Sequence, residues 1–99
     1  MDESYLSEQL AALGHLTRLR VVKALLAAPG GMAAGKLASL QNIRQNSLSP
    51  HLVSLSRSNL ISGVRTGREI IYAARPENLS RLAHQLQAML TPADPDGKA

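Results

Sequence analysis

Residues 32–57, MAAGKLASLQNIRQNSLSPHLVSLSR, decide how this 99-residue chain folds. Leu48, Leu52 and Leu55 recur at i, i+4 and i+7, the stripe of a helix with one apolar face. Its polar face carries Ser49, His51, Ser54 and Arg57. Upstream, Met32 to Leu40 reads as a short helix with Leu37 and Leu40 inward and Lys36 outward. Gln41-Asn42 breaks its period, and Asn42 suits a left-handed turn position. Two short helices joined by a tight turn, the second polar on its outer face, make a helix-turn-helix pattern. Proline fits only the first turn of a helix, and inside one it costs about 3 kcal/mol. Pro50 therefore predicts a late start for the second helix, with Asn46 or Ser47 as N-cap and Gln45 left in the turn.

Outward from this core, Leu6, Leu10 and Leu13 mark a first amphipathic helix, with Ser4 or Ser7 as cap and Gly14 as stop. Thr17 announces a second, with Leu19, Val22, Leu25 and Leu26 on one face and Pro29-Gly30-Gly31 ending it. Beyond Asn59 the period changes. Ile61 to Thr66 and Glu69 to Ala74 are rich in strand-formers and join across Thr66-Gly67-Arg68, a two-stranded hairpin with a basic tip. Ile70 and Tyr72 share one of its faces, while the side taken by Ile71 depends on the register. Pro76 opens a last helix carrying Leu79, Leu82, Leu86 and Met89. The expected domain spans residues 1–90, followed by a disordered Pro/Asp/Gly tail over 91–99. The architecture is mainly α with a small β-hairpin, a winged helix-turn-helix.

Composition narrows the function. The chain has no cysteine, so disulfides, thiolate ligands and thiol catalysis are excluded. Tyr5 and Tyr72 are its only aromatics, too few to stack unpaired bases. No apolar run approaches the roughly 20 residues that span a bilayer, and residues 1–15 carry no basic start before an apolar block. A cytoplasmic location without membrane contact is expected. Charge supplies the positive clue. Five of seven acids lie near the chain ends, whereas His15 to Arg75 holds nine bases against Glu69 alone. A stretch that basic suits a polyanion; ordinary solvation of the side chains is the alternative. No base–nucleophile pair or carboxylate dyad is visible, so no enzyme is expected. Two terminal leucine ridges, Leu6, Leu10, Leu13 and Leu82, Leu86, Met89, are expected to pair across a two-fold axis. The alternative is that the second ridge folds back on its own core, and both can hold for different residues.

Several segments, taken in order, resemble the ArsR/SmtB family of bacterial repressors over residues 5–90. Leu13-Gly14-His15-Leu16-Thr17-Arg18-Leu19-Arg20 is similar to its LGHPTRLxI opening, with Leu16 in place of the usual proline. Gly35-Lys36-Leu37-Ala38 resembles GELA, and Gln45-Asn46-Ser47-Leu48-Ser49-Pro50-His51-Leu52 resembles the QSTVSHHL recognition segment. Ser58-Asn59-Leu60-Ile61 stands where AGLV usually stands. Gly67-Arg68-Glu69-Ile70-Ile71-Tyr72 is similar to the GRxxYY wing. The resemblance implies a homodimer built by the first and last helices, bound to an inverted-repeat operator in double-stranded DNA and repressing transcription.

On that footing Gln45 and Asn46 are expected to read base edges, with Ser47, Ser49 and His51 reaching bases or phosphates. Arg57 and Lys36 are expected to meet the backbone, and Arg65 and Arg68 to lie on or in the adjacent minor groove. A winged-helix module that binds a protein partner is the alternative from another class. Thiol sensing is excluded, because Ala33 and Gly35 stand where the family's cysteines would be. Glu77 and His84, seven apart, would suit a two-fold zinc site but lack the second histidine and acid of the family pattern. No metal, no cofactor and no inducer is therefore assigned.

Overall fold

The computed structural model describes residues 2–91. Five helices, α1 (Glu3–Leu13), α2 (Leu16–Leu26), α3 (Ala34–Gln41), α4 (Gln45–Arg57) and α5 (Pro76–Met89), surround a small sheet. Its strands are β1 (Met32–Ala33), β2 (Ile61–Thr66) and β3 (Glu69–Ala74), in the antiparallel order β1-β3-β2. The helix-turn-helix, the hairpin and the closing helix stand where the sequence puts them. The core is one cluster in which Leu48, Leu52 and Leu55 of α4 meet Val21 and Leu25 of α2 and Leu37 of α3. Leu60 and Ile61 carry that cluster into the hairpin, and Leu82 closes it from α5.

The turn between α3 and α4 follows from Asn42, at φ 55° and ψ 44°. Its left-handed backbone lets the Asn42 and Ile43 N–H groups donate to carbonyls of the last turn of α3, Ile43 to Ala38 at 3.1 Å. This is the 6→1 bond that closes a helix carboxyl end. Arg44 then extends (φ −73°, ψ 145°), and its carbonyl accepts from Ser47 and Leu48. Helix α4 thus starts at Gln45, not after Asn46 or Ser47 as Pro50 predicts, and Pro50 lies inside it. Burial explains the outcome. Leu48, Leu52 and Leu55 are each 1% exposed or less, and a buried leucine contributes about 1.5–3 kcal/mol. The three together outweigh one interior proline, whose ring points to solvent and costs the Asn46 carbonyl its helical partner.

Other expectations are corrected locally. Asp2, not Ser4 or Ser7, caps α1, accepting from the Ser4 N–H at 2.9 Å. His15 caps α2 by accepting from the Thr17 N–H, so that helix starts one residue before Thr17. On α2, Val21 joins Val22 and Leu25 inside, while Leu19 and Leu26 are exposed. Met32 and Ala33 do not begin α3. They pair with Tyr72 and Ile71, adding a third strand to the expected hairpin. Gly31 permits this at φ 85°, since a Cβ there would lie 2.7 Å from the Tyr72 carbonyl oxygen. Leu40, expected inward, is 60% exposed, and the buried side of α3 is formed by the adjacent Leu37 and Ala38. The β2–β3 register, Ile61 to Ala74 through Thr66 to Glu69, matches the expected strands. Gly67 turns the tip at φ 63°. Leu82 is buried in its own core at 4% exposure, whereas Leu86 and Met89 are exposed. Apart from Thr91, the expected tail lies outside the described residues.

Pro50→Ala restores a helical hydrogen bond on a solvent-facing position. It is expected to raise stability by about 2–3 kcal/mol, measured as a higher midpoint of denaturant unfolding with an unchanged slope.

Candidate nucleic-acid interface

The amino end of α4, the start of α3 and the wing formed by β2 and β3 enclose a groove of about 290 Å³. Gln45 and Ser49 line its helical wall, and Arg65, Arg68 and Glu69 line its wing wall. Ala33, Ala34 and Gly35 form the floor with side chains too short to obstruct it. Because α4 starts at Gln45, that amide belongs to the helix and faces the groove. Asn46 and Ser47 follow it in the first turn, both exposed. No side chain caps α4, so its positive dipole end is left unscreened beside them. Ser49 Oγ donates to the Gln45 carbonyl at 3.1 Å, leaving its lone pairs outward.

Local structure sets the arginines as well. Across the hairpin Arg65 pairs with Ile70 and Thr66 with Glu69, so the Gly67-Arg68 turn projects Arg68 at the tip. Both arginines are exposed. Among the described residues the only ion pair is Arg75 with Glu77, at 3.1 Å, so Glu69 neutralises neither wing arginine by direct pairing. Lys36 is exposed on the first turns of α3, beside the floor residue Gly35.

Two expected residues lie apart from this constellation. Arg57 sits in the last turn of α4, about 18 Å along the axis from Gln45, and lines a different cleft with Glu8, Arg18, Ser54 and Ser58. His51 turns toward α2, where Arg18 Nε donates to its Nδ1 at 3.0 Å. Burial first, then the neighbouring His15 and Arg18, hold the His51 imidazole below its usual pKa. Arg44 was missed. It is exposed at the N-cap of α4, and its place immediately before Gln45-Asn46 was the signal that could have found it.

Glu77 and His84, the two candidate metal ligands, both lie on α5. Glu77 bonds Arg75, and hydrogen bonding to its own backbone N–H, then to Arg75, keeps its carboxyl below the usual range. His84 is exposed on α5. Among the described residues no group of three His, Cys, Asp or Glu converges, and no helix is long and apolar enough to cross a membrane.

The fold and this face define a class, the ArsR-like winged helix-turn-helix transcriptional regulators. Residues 13–64 match the model of the helix-turn-helix domain family, and the chain belongs to that family. It is similar to an ArsR-like transcriptional regulator from Rhodococcus sp. RHA1, at 28% identity and a TM-score of 0.80, over 90% of this chain and 82% of that one. It is similar to NolR from Sinorhizobium fredii, at 26% identity and a TM-score of 0.72, over 98% and 89% of the two chains. The fold is also that of the homodimeric winged helix-turn-helix DNA-binding domain of Mb0332 from Mycobacterium bovis, a possible ArsR-family regulator. That likeness has 20% identity and a TM-score of 0.72, over 89% and 80%. No curated protein matches the chain in sequence.

Proposed function

We propose that the chain acts as a homodimeric repressor that binds an inverted-repeat operator in double-stranded DNA, by contact and not by catalysis. The observation that carries this reading is the groove in which Gln45 and Ser49 of α4 face Arg65 and Arg68 of the wing. Helix α4 enters the major groove, where the Gln45 and Asn46 amides donate and accept in the pattern that adenine presents. Arg65 and Arg68 follow into the neighbouring minor groove, where narrow A·T tracts favour guanidinium groups. Lys36 and Arg44 meet phosphates beside the same groove, Ser47 and Ser49 meet bases or phosphates, and Arg57 meets the backbone further along. Such a protein works where the DNA is, in the cytoplasm. No inducer is proposed.

Dimerisation rests on a second surface. Leu6, Leu10, Ala88 and Met89 line a groove of about 610 Å³ between α1 and α5. Leu10 and Leu86 are 39% and 38% exposed, and Met89 67%. Leu6 and Leu13 pack partly on the core and Leu82 wholly, so the outer rows supply the mating surface. A two-fold axis through it presents two α4 helices to half-sites about one helical turn, or 34 Å, apart.

Binding to duplexes from the source genome, followed by anisotropy over a salt series, tests the reading. A log–log slope on the order of −5 or steeper is expected for a dimer; salt-insensitive binding of a protein, with no duplex affinity, would favour the interaction module instead. Arg68→Ala is expected to weaken all duplexes alike and flatten that slope by about one phosphate. Asn46→Ala is expected to change preference at one base pair, by about 1–3 kcal/mol, measured across operator variants. Leu86→Glu with Met89→Glu is expected to give folded monomers that lose operator binding, read by sedimentation and circular dichroism; both positions are exposed, so the core is untouched.

A further inference from the structure

Helices α2 and α4 meet at a polar seam built from His15, Arg18 and His51. Arg18 Nε donates to His51 Nδ1 at 3.0 Å, the only side-chain hydrogen bond between these helices among the described residues. The His15 ring lies 4.4 Å from the His51 ring, centroid to centroid, tilted by 45°. His15 Nδ1 in turn accepts from the Thr17 N–H at 3.2 Å and so caps α2. Both Nδ1 atoms serve as acceptors. As an acceptor at Nδ1, the His51 ring is neutral, with its proton on Nε2.

Protonation undoes every part of this arrangement. A proton on His51 Nδ1 aims an N–H at the guanidinium N–H and places two cations in contact. A proton on His15 Nδ1 removes the cap acceptor and puts a positive charge at the positive end of the α2 dipole. The charges that act on His51 are His15 and Arg18, both from α2. On α4 itself its neighbours one turn away are Ser47, Leu48, Ser54 and Leu55, none charged. From α3 the uncharged Gln41 donates to the Thr17 carbonyl, and from α1 Glu8 lines the cleft that Arg18 shares with Arg57. No carboxylate pairs with either imidazole among the described residues.

We propose that His15, Arg18 and His51 form a proton-operated latch that positions α4 against α2, closed while the His51 imidazole is neutral and opened when it is protonated. Pro50 makes the latch matter. With the Asn46 carbonyl lacking its helical partner, the first turns of α4 depend more on tertiary ties, and His51 supplies one just past the proline. On the reading of α4 as the DNA-facing helix, opening the latch loosens the presentation of Gln45 and Asn46. The three are positioning residues.

The direction of the pH effect follows from burial and the two neighbouring groups, which lower the folded-state pKa of His51. The unfolded chain then takes up the proton first. The latch's stabilisation is complete above the unfolded pKa, about 6.5, and drains away as the pH falls from there toward the lower folded value. The test uses the full chain and needs no DNA, so it stands apart from the fate of the DNA reading. Thermal unfolding at pH 7.5 and 5.5 is compared between the wild type and the double variant His15→Asn, His51→Gln. Asn keeps a capping acceptor and Gln offers Arg18 an oxygen, yet neither titrates. The wild-type midpoint is expected to fall on acidification at least twice as far as the variant's; equal falls overturn the latch. Should the variant not fold, a nitrogen-detected imidazole titration of the wild type decides. A His51 midpoint below that of an unfolded peptide, with the proton on Nε2, is expected. An unshifted midpoint with mixed tautomers overturns the proposal.

Discussion

The clamp of Leu48, Leu52 and Leu55 into the core fixes the rotation of α4, and every polar residue of the interface inherits its direction from that constraint. With the stripe shut against α2 and α3, the 3.6-residue period turns Asn46 to the opposite side and Ser49 to the flank, while Gln45, one turn before Leu48, reaches the groove from the amino end of the helix. Magnitudes decide what the clamp can override. An interior proline costs about as much as one or two buried leucines contribute, so three leucines keep the helix intact from Gln45. A proline on the inward side would both break the ladder and empty the core. The same residue on the outer face is tolerated.

The carboxyl end of α4 is held by hydrogen bonds. Gln9, fully buried on α1, donates to the Ser58 carbonyl at 3.0 Å, and Tyr5 Oη donates to the same oxygen. Asn59, left-handed at φ 60°, donates from its side chain to Tyr5 Oη, and its own carbonyl accepts from Asn78 at the start of α5. Strand β2 begins two residues later, so this knot sets the angle at which the wing leaves the helix. It also joins α1 and α5 to the helix-turn-helix half of the domain. Among the described residues Gln9 Oε1 has no partner in its buried place, a cost accepted for the two helices that its amide nitrogen ties together.

Much of this was legible. The leucine stripe, the left-handed asparagine and the alternating wing strands are local signals in which period and turn chemistry agree. The missed features depend on distant partners. Met32 and Ala33 are a strand only because β3, some forty residues on, offers an edge to pair with. Leu40 is exposed because the side of α3 that meets the core lies between Leu37 and Ala38, and Leu40 falls well around the helix from it. His51 reads as polar and outward on the helical wheel, yet Arg18, 33 residues earlier, draws it sideways to α2. Pro50 misled because a local rule about helix starts was set against a tertiary clamp whose strength the sequence shows only as three leucines. The caps Asp2 and His15 were within local reach, but serines and a threonine nearby competed for the same role.

Charge separates the two surfaces of the molecule, and the separation bears on how copies associate. The acids Asp2, Glu3 and Glu8 lie on or just before α1, next to the exposed apolar rows of α1 and α5. Of the bases with no ion pair among the described residues, Lys36 lies on α3, Arg44 at the head of α4 and Arg65 and Arg68 on the wing, with Arg20 and Lys23 on α2, Arg57 at the end of α4 and Arg81 on α5. Two copies that meet through Leu10, Leu86 and Met89 therefore bury apolar area while keeping their cationic faces apart, where self-repulsion is weakest. Meeting through the wings instead would bring four arginines together against two Glu69 carboxylates and gain little apolar contact. The arrangement that best hides leucine is thus the one that leaves both basic faces free for a polyanion.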